Sequence, residues 1–116
     1  MRSDKFVGDI LMKIEHIIKE FKQQIAELYG QRLKKVVLYG SYARGQANDE
    51  HSDIDLAVVL AGAVDPCEEI DRMADIFTDL NLEHNVLIAV YPVSESDYKT
   101  VNSPLLLNLR KEGVPA

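Results

Sequence analysis

The stretch Gly40–Val59, GSYARGQANDEHSDIDLAVV, decides how the rest of the chain is read. At its far end, Asp53–Leu60 (DIDLAVVL) is apolar at every position from Leu56 onward. A strand there has no solvent face and belongs in the middle of a sheet. Asp53 and Asp55 stand two apart at its start, so both carboxylates leave the strand on one side while Ile54 and Leu56 leave on the other. Paired carboxylates on an apolar strand repel each other and are costly to desolvate. A hard divalent cation relieves that cost, and oxygen donors that leave room for water and phosphate suit Mg2+. At the near end, Gly40-Ser41 closes the run Lys34–Tyr39 (KKVVLY), which reads as a strand entering a tight turn. Glycine permits close approach of an anion, and the amides opening a helical turn over Ser41–Gly45 favour negative charge. The Ser41 hydroxyl and the Arg44 guanidinium can each reach a phosphate oxygen. Between the two ends, Gln46–His51 is a polar loop of turn formers. Parallel or neighbouring strands would set the Gly40-Ser41 turn beside the Asp pair.

Outward from this stretch the chain alternates helices and strands. Asp4–Tyr29 carries Val7, Leu11, Ile14, Ile18, Phe21, Ile25 and Leu28 in steps of three and four, with Ile10 and Ile17 widening the stripe. It predicts a long amphipathic helix started by Ser3 or Asp4 and stopped at Gly30. Its spacing also permits a helical homodimer seam. Pro66–Asn81 predicts a helix with Ile70, Met73, Phe77 and Leu80 inward and Glu68, Glu69, Asp71 and Asp75 outward. Asn85–Val93 reads as a third strand, and Ser96–Val101 and Ser103–Lys111 as short helices, the second ended by Gly113. The order predicts an α+β fold: a small mixed sheet flanked by helices, with a long N-terminal helix and one domain over residues 1–116.

Charge and composition exclude several classes. Lys plus Arg number 13 against 19 for Asp plus Glu, a net charge of -6, so the chain lacks the basic face of a general nucleic-acid binder. No uncharged apolar run, Val86–Val93 included, is long enough to span a bilayer, and Asp4, Asp9 and Glu15 interrupt any signal core. The single cysteine, Cys67, has no partner for a disulfide or a metal site, which fits a reducing cytoplasm.

A Gly-Ser turn, a gap of eleven residues from Tyr42 to Ser52, and Asp53-Ile54-Asp55 on the next strand form a joint pattern. With Ala43-Arg44-Gly45 and Ser52 around it, the chain resembles the minimal nucleotidyltransferase domain of the polymerase-beta-like nucleotidyltransferase superfamily. The resemblance reaches the closing SPLLLNLRKEGV and so covers nearly the whole chain. It implies the nucleotidyltransferase fold and an Mg2+-dependent transfer of NMP, most simply AMP from ATP, to a hydroxyl acceptor. It further implies that Gly40 and Ser41 hold the β- and γ-phosphates, that Asp53 and Asp55 bind the Mg2+ ions, two being possible, and that Arg44 contacts phosphate. Members this small resemble the antitoxin half of toxin–antitoxin pairs, whose HEPN-domain partner is itself the acceptor.

The chain departs from the family at the third carboxylate, which lies on the following strand. Asn85–Val93 (NVLIAVYPV) contains no Asp or Glu; Glu83 and His84 precede it as the nearest substitutes, and Asp97 follows it. The absence supports an alternative: a catalytically degenerate nucleotide-binding domain that inhibits or scaffolds a partner by contact. Transfer to an aminoglycoside-type small molecule would need a second wall to the site. A Ca2+ loop from Asp49, Asp53 and Asp55 lacks the turn glycine and closing Glu of such loops. Among other residues, His16 reads as solvent-facing, His51 as near the phosphates, His84 as a strand-entry residue, Tyr39 as packing and Tyr42 as exposed at the cleft mouth.

Overall fold

A computed structural model describes residues 2–43 and 53–116, with the backbone alone for residues 2–11 and 41. Arg44 and the expected loop Gln46–His51 lie outside the described residues. The first element, helix α1 (Arg2–Tyr29), begins a little ahead of the predicted Asp4. Ile14, Ile17, Ile18, Phe21 and Ile25 form its buried stripe. Each such side chain, fully removed from water, contributes on the order of 1.5–3 kcal/mol. Leu28, expected in the stripe, is 41% exposed, and Tyr29 turns inward instead. A stripe of period 3.6 allows either position four turns on, and Tyr29 has a buried partner for its hydroxyl.

A 3-10 turn (Gly30–Arg32) leads into β1 (Leu33–Tyr39), which ends in the short helix α2 (Gly40–Ala43). Strand β2 (Ile54–Leu60) runs antiparallel to β1 and is buried on both faces after Asp55, as its apolar run requires. Helix α3 (Pro66–His84) is capped by the Asp65 carboxylate, which accepts from the amides of Cys67 and Glu68. Strand β3 (Ile88–Ser94) pairs parallel with β2. Helices α4 (Glu95–Thr100) and α5 (Pro104–Glu112) follow, capped by the hydroxyls of Ser94 and Ser103. The short strand β4 (Val114–Pro115) pairs with β1. The sheet order is β3-β2-β1-β4, with β2 and β1 inside. Pro92 sits on the edge strand β3, where a missing amide costs no ladder bond on the open side.

One face of the sheet (Ile54, Leu56, Val58, Leu60, Val36, Ile88) packs against α1 and α3. The other (Val37, Ala57, Val59, Val93) packs under α5 through Leu106 and Leu109, with Tyr39, Tyr91 and Tyr98 around it. Arg110 fastens α5 to the end of α4, donating to the carbonyls of Tyr98 and Val101 at 2.7 and 2.8 Å. Among the described residues no helix is long and apolar enough to cross a membrane.

Three expectations for α3 and β3 are corrected. The helix runs three residues past Asn81, so His84 closes a helix and does not open a strand. Asn85 ends it in the left-handed conformation (φ 52°), and the Asn81 carboxamide oxygen accepts the Ile88 amide at 2.8 Å, which delays β3 to Ile88. The inward residue of the first turns is Glu69, 3% exposed, and not Ile70. Glu69 is held by Arg72, one turn on, at 2.7 Å, and by Arg32 at 3.1 Å and the Tyr29 hydroxyl at 2.9 Å, two partners from other elements that no helical period reveals. That burial also pushes the Tyr29 phenol up to about 12, through loss of water first and the Glu69 hydrogen bond second.

Candidate active site

Antiparallel pairing of β1 with β2 sets Tyr39 opposite Asp55 and Leu38 opposite Leu56. The turn that follows Tyr39 therefore arrives beside the start of β2, where the two aspartates stand. Gly40 takes φ +74°, a conformation open to glycine but strained for other residues. A side chain there would collide with the Asp55 carboxylate, whose Oδ2 occupies the space a Cβ would need. The sequence predicted this juxtaposition without its direction; the strands are antiparallel neighbours.

Asp53 lies just ahead of β2 and is exposed, whereas Asp55 is partly buried within it. Ile54 and Leu56, between and after them, are 0% exposed on the opposite face, as the two-residue period requires. Ser41 lies in α2, directly after Gly40. Helix α2 begins at Gly40, so its first amides open at the turn beside Asp55. Tyr42, expected at the cleft mouth, is 8% exposed and packs into the core on the α1 side. Tyr39 packs as predicted, and its phenol is pushed up to about 12 by burial, then by the Asp55 charge and Tyr91.

Parallel pairing of β2 with β3 identifies the neighbour of Asp55 on the next strand as Ala89, followed by Tyr91 beside Ala57. A carboxylate supplied by β3 to this pair would stand at or near Ala89, and β3 has none. Glu83 and His84 do not replace it. They end α3, and His84 Nε2 meets Glu20 of α1 at 3.3 Å, within the helix layer on the face of the sheet opposite to the aspartates. Asp97 sits in the first turn of α4, where its amide is capped by Ser94. The Ala89 position was hidden from sequence reading because it depends on strand register. The signal was the lone small residue of NVLIAVYPV.

The donors at Asp53 and Asp55 are all oxygen and sit beside a glycine cradle that admits no side chain, which suits a hard divalent ion with a phosphate ligand. A family model described as a nucleotidyltransferase domain matches residues 18–101, which takes in the turn, the Asp pair and β3. A relative from Methanocaldococcus jannaschii named "putative protein adenylyltransferase" is 39% identical over 103 residues, 88% of this chain and 96% of the relative. A second relative of the same name and organism is 37% identical over 78 residues, 67% of this chain and 77% of its own length. A crystal structure of a toxin–antitoxin with AMP-PNP shares the fold at a TM-score of 0.57 and 18% identity, over 82% of this chain and 68% of that one. The matched elements are those that join Gly40 to Asp55, and by that match the chain belongs to the nucleotidyltransferase domain family.

Proposed function

We propose that this chain moves AMP from ATP to a hydroxyl-bearing side chain of a partner protein, a HEPN-domain toxin made beside it in the cytoplasm, and that the reaction depends on Mg2+. The observation that carries the reading is the contact of Gly40 with Asp55, which sets a backbone open to triphosphate against a two-carboxylate site. The name of the relatives supports a protein acceptor, and the toxin–antitoxin neighbour supports a toxin partner.

In this reading Asp53 and Asp55 hold the metal, Gly40 and Ser41 the β- and γ-phosphates, and Arg44 a further phosphate oxygen. Bound Mg2+ would neutralise triphosphate charge and stabilise the charge that develops as pyrophosphate departs. The turn and the aspartates orient the triphosphate so that the acceptor oxygen faces the α-phosphorus in line. The oxygen–phosphorus bond to the acceptor forms as the bond to the β-phosphate's bridging oxygen breaks, and pyrophosphate leaves. The hydroxyl proton passes to water or to a base on the partner, because β3 carries Ala89 and no carboxylate there.

Co-expression with the neighbouring gene's product tests this by intact mass. The partner should gain one or more AMP units, the gain should vanish with Asp53→Asn plus Asp55→Asn, and in vitro it should stop with chelator and return with Mg2+. The Ala89 position favours one second reading, a domain that binds nucleotide and silences its partner by contact. A stable complex with unmodified partner, equally inhibitory with the double variant, would establish that second reading and sink the first.

A further inference from the structure

On the face of the sheet away from the aspartates, α1 and α3 bring the metal-ligand side chains of Glu20, Glu83 and His84 to one place, with His16 against the other oxygen of Glu20. His16 and Glu20 stand one turn apart on α1, and Glu83 and His84 close α3. His16 Nε2 lies 3.0 Å from Glu20 Oε1. His84 Nε2 lies 3.3 Å from Glu20 Oε2 and 3.8 Å from Glu83 Oε2. Two imidazole nitrogens thus bracket the two oxygens of one carboxylate. The rings stand edge to face with centroids 6.1 Å apart. Ligand atoms of Glu20, Glu83 and His84 all fall within 4.8 Å of one another.

These spacings are also those between the donors of a single bound ion. A tetrahedral ion with bonds of about 2.0–2.1 Å holds its donors about 3.3 Å apart, inside the range found here. Side-chain exposure is 16% for His84 and 31% for Glu20, so the inner pair is withdrawn from water, while His16 and Glu83 at 64% and 63% leave an entry path. Two carboxylates and two imidazoles offer a divalent cation both oxygen and nitrogen donors. The mixed nitrogen and oxygen donors separate this cluster from the all-oxygen Asp pair: imidazole selects zinc-class ions, carboxylate alone selects Mg2+.

We propose that His16, Glu20, Glu83 and His84 form a second metal site, for a divalent transition-metal ion of the zinc class, which clamps α1 to the end of α3. The site stands independently of the transfer reaction. The whole chain, stripped of metal, is titrated with Co2+ as the spectroscopic probe and with Zn2+ by calorimetry. One Co2+ per chain with tetrahedral visible absorption, displaced by Zn2+, is expected, together with a rise in Tm on adding Zn2+. His84→Ala should weaken binding by at least about tenfold and abolish the rise in Tm, because losing a ligand costs no less than losing its outer support. His16→Ala, at an exposed position on α1, should weaken binding in the same direction and guards against a folding defect in the His84 variant. Asp53→Asn plus Asp55→Asn should leave Zn2+ binding intact. Affinity no better than millimolar, affinity unchanged by both histidine variants, or affinity lost with the Asp pair would each overturn the proposal.

Discussion

At Gly40 two constraints coincide, a left-handed φ of +74° and a missing side chain whose place is filled by the Asp55 carboxylate. Gly40→Ala meets both. The backbone term alone costs about 1–2 kcal/mol, and relief of the collision must move either the turn or Asp55. A displacement of that kind at a site that works by alignment lowers the rate by about a hundredfold. We therefore expect Gly40→Ala to fold, with a lower Tm, and to transfer nucleotide about a hundredfold more slowly. The control is alanine at Gly30, which also has positive φ but has open space around its Cβ position. It should lower Tm without touching transfer. A Gly40→Ala protein with unchanged transfer would separate the turn from the reaction.

At the scale of elements, the link between α3 and β3 sets which residue faces Asp55. Asn85 turns the chain at φ 52° and Asn81 ties Ile88 to the helix end, which fixes β3 in the register that sets Ala89 beside Asp55. Asparagine tolerates this conformation and a β-branched residue does not. Asn85→Val should cost about 1–2 kcal/mol, while Asn85→Gly should be neutral within a few tenths of that. Denaturant unfolding of the two variants checks the difference. Equal midpoints would mean that the helix end relaxes by another route. The same region explains why Glu83 and His84 are unavailable to the aspartates: one more turn of helix carries them into the α1 layer.

For the molecule as a whole, two tyrosines report on the two faces of the sheet. Tyr29 bonds Glu69 between α1 and α3, and Tyr39 lies on the Asp55 side, with both phenols pushed from 10 up to about 12. Both hold their protons more tightly folded than unfolded. Their contribution to stability is therefore complete below about pH 10 and is lost as pH rises towards 12. Urea unfolding should accordingly weaken across that window, and less so in Tyr29→Phe or Tyr39→Phe. Phenolate absorbance of the folded protein should show two late-titrating tyrosines, one of which each substitution removes. A stability flat from pH 9 to 12 would contradict this account.

What local pattern could determine was legible in the chain by itself. DIDLAVVL announced a central strand, because burial on both faces leaves no polar alternation to read. The same two-residue period sent Ile54 and Leu56 into the core and left Asp55 on the other face. The helices read over Pro66–Asn81 and Ser103–Lys111 formed, starting at Pro66 and Pro104. Tertiary structure alone decided what depends on residues far apart in sequence. The pairing of Tyr39 with Asp55, and of Asp55 with Ala89, is a matter of register, and a slip of one residue would reverse every face. Glu69 looked like one more exposed acid until Arg32 and Tyr29, from other elements, met it. His16 and His84 looked unrelated until packing of α1 on α3 set them about Glu20. Periodicity states which way a side chain points, and only the packed chain states what it meets there.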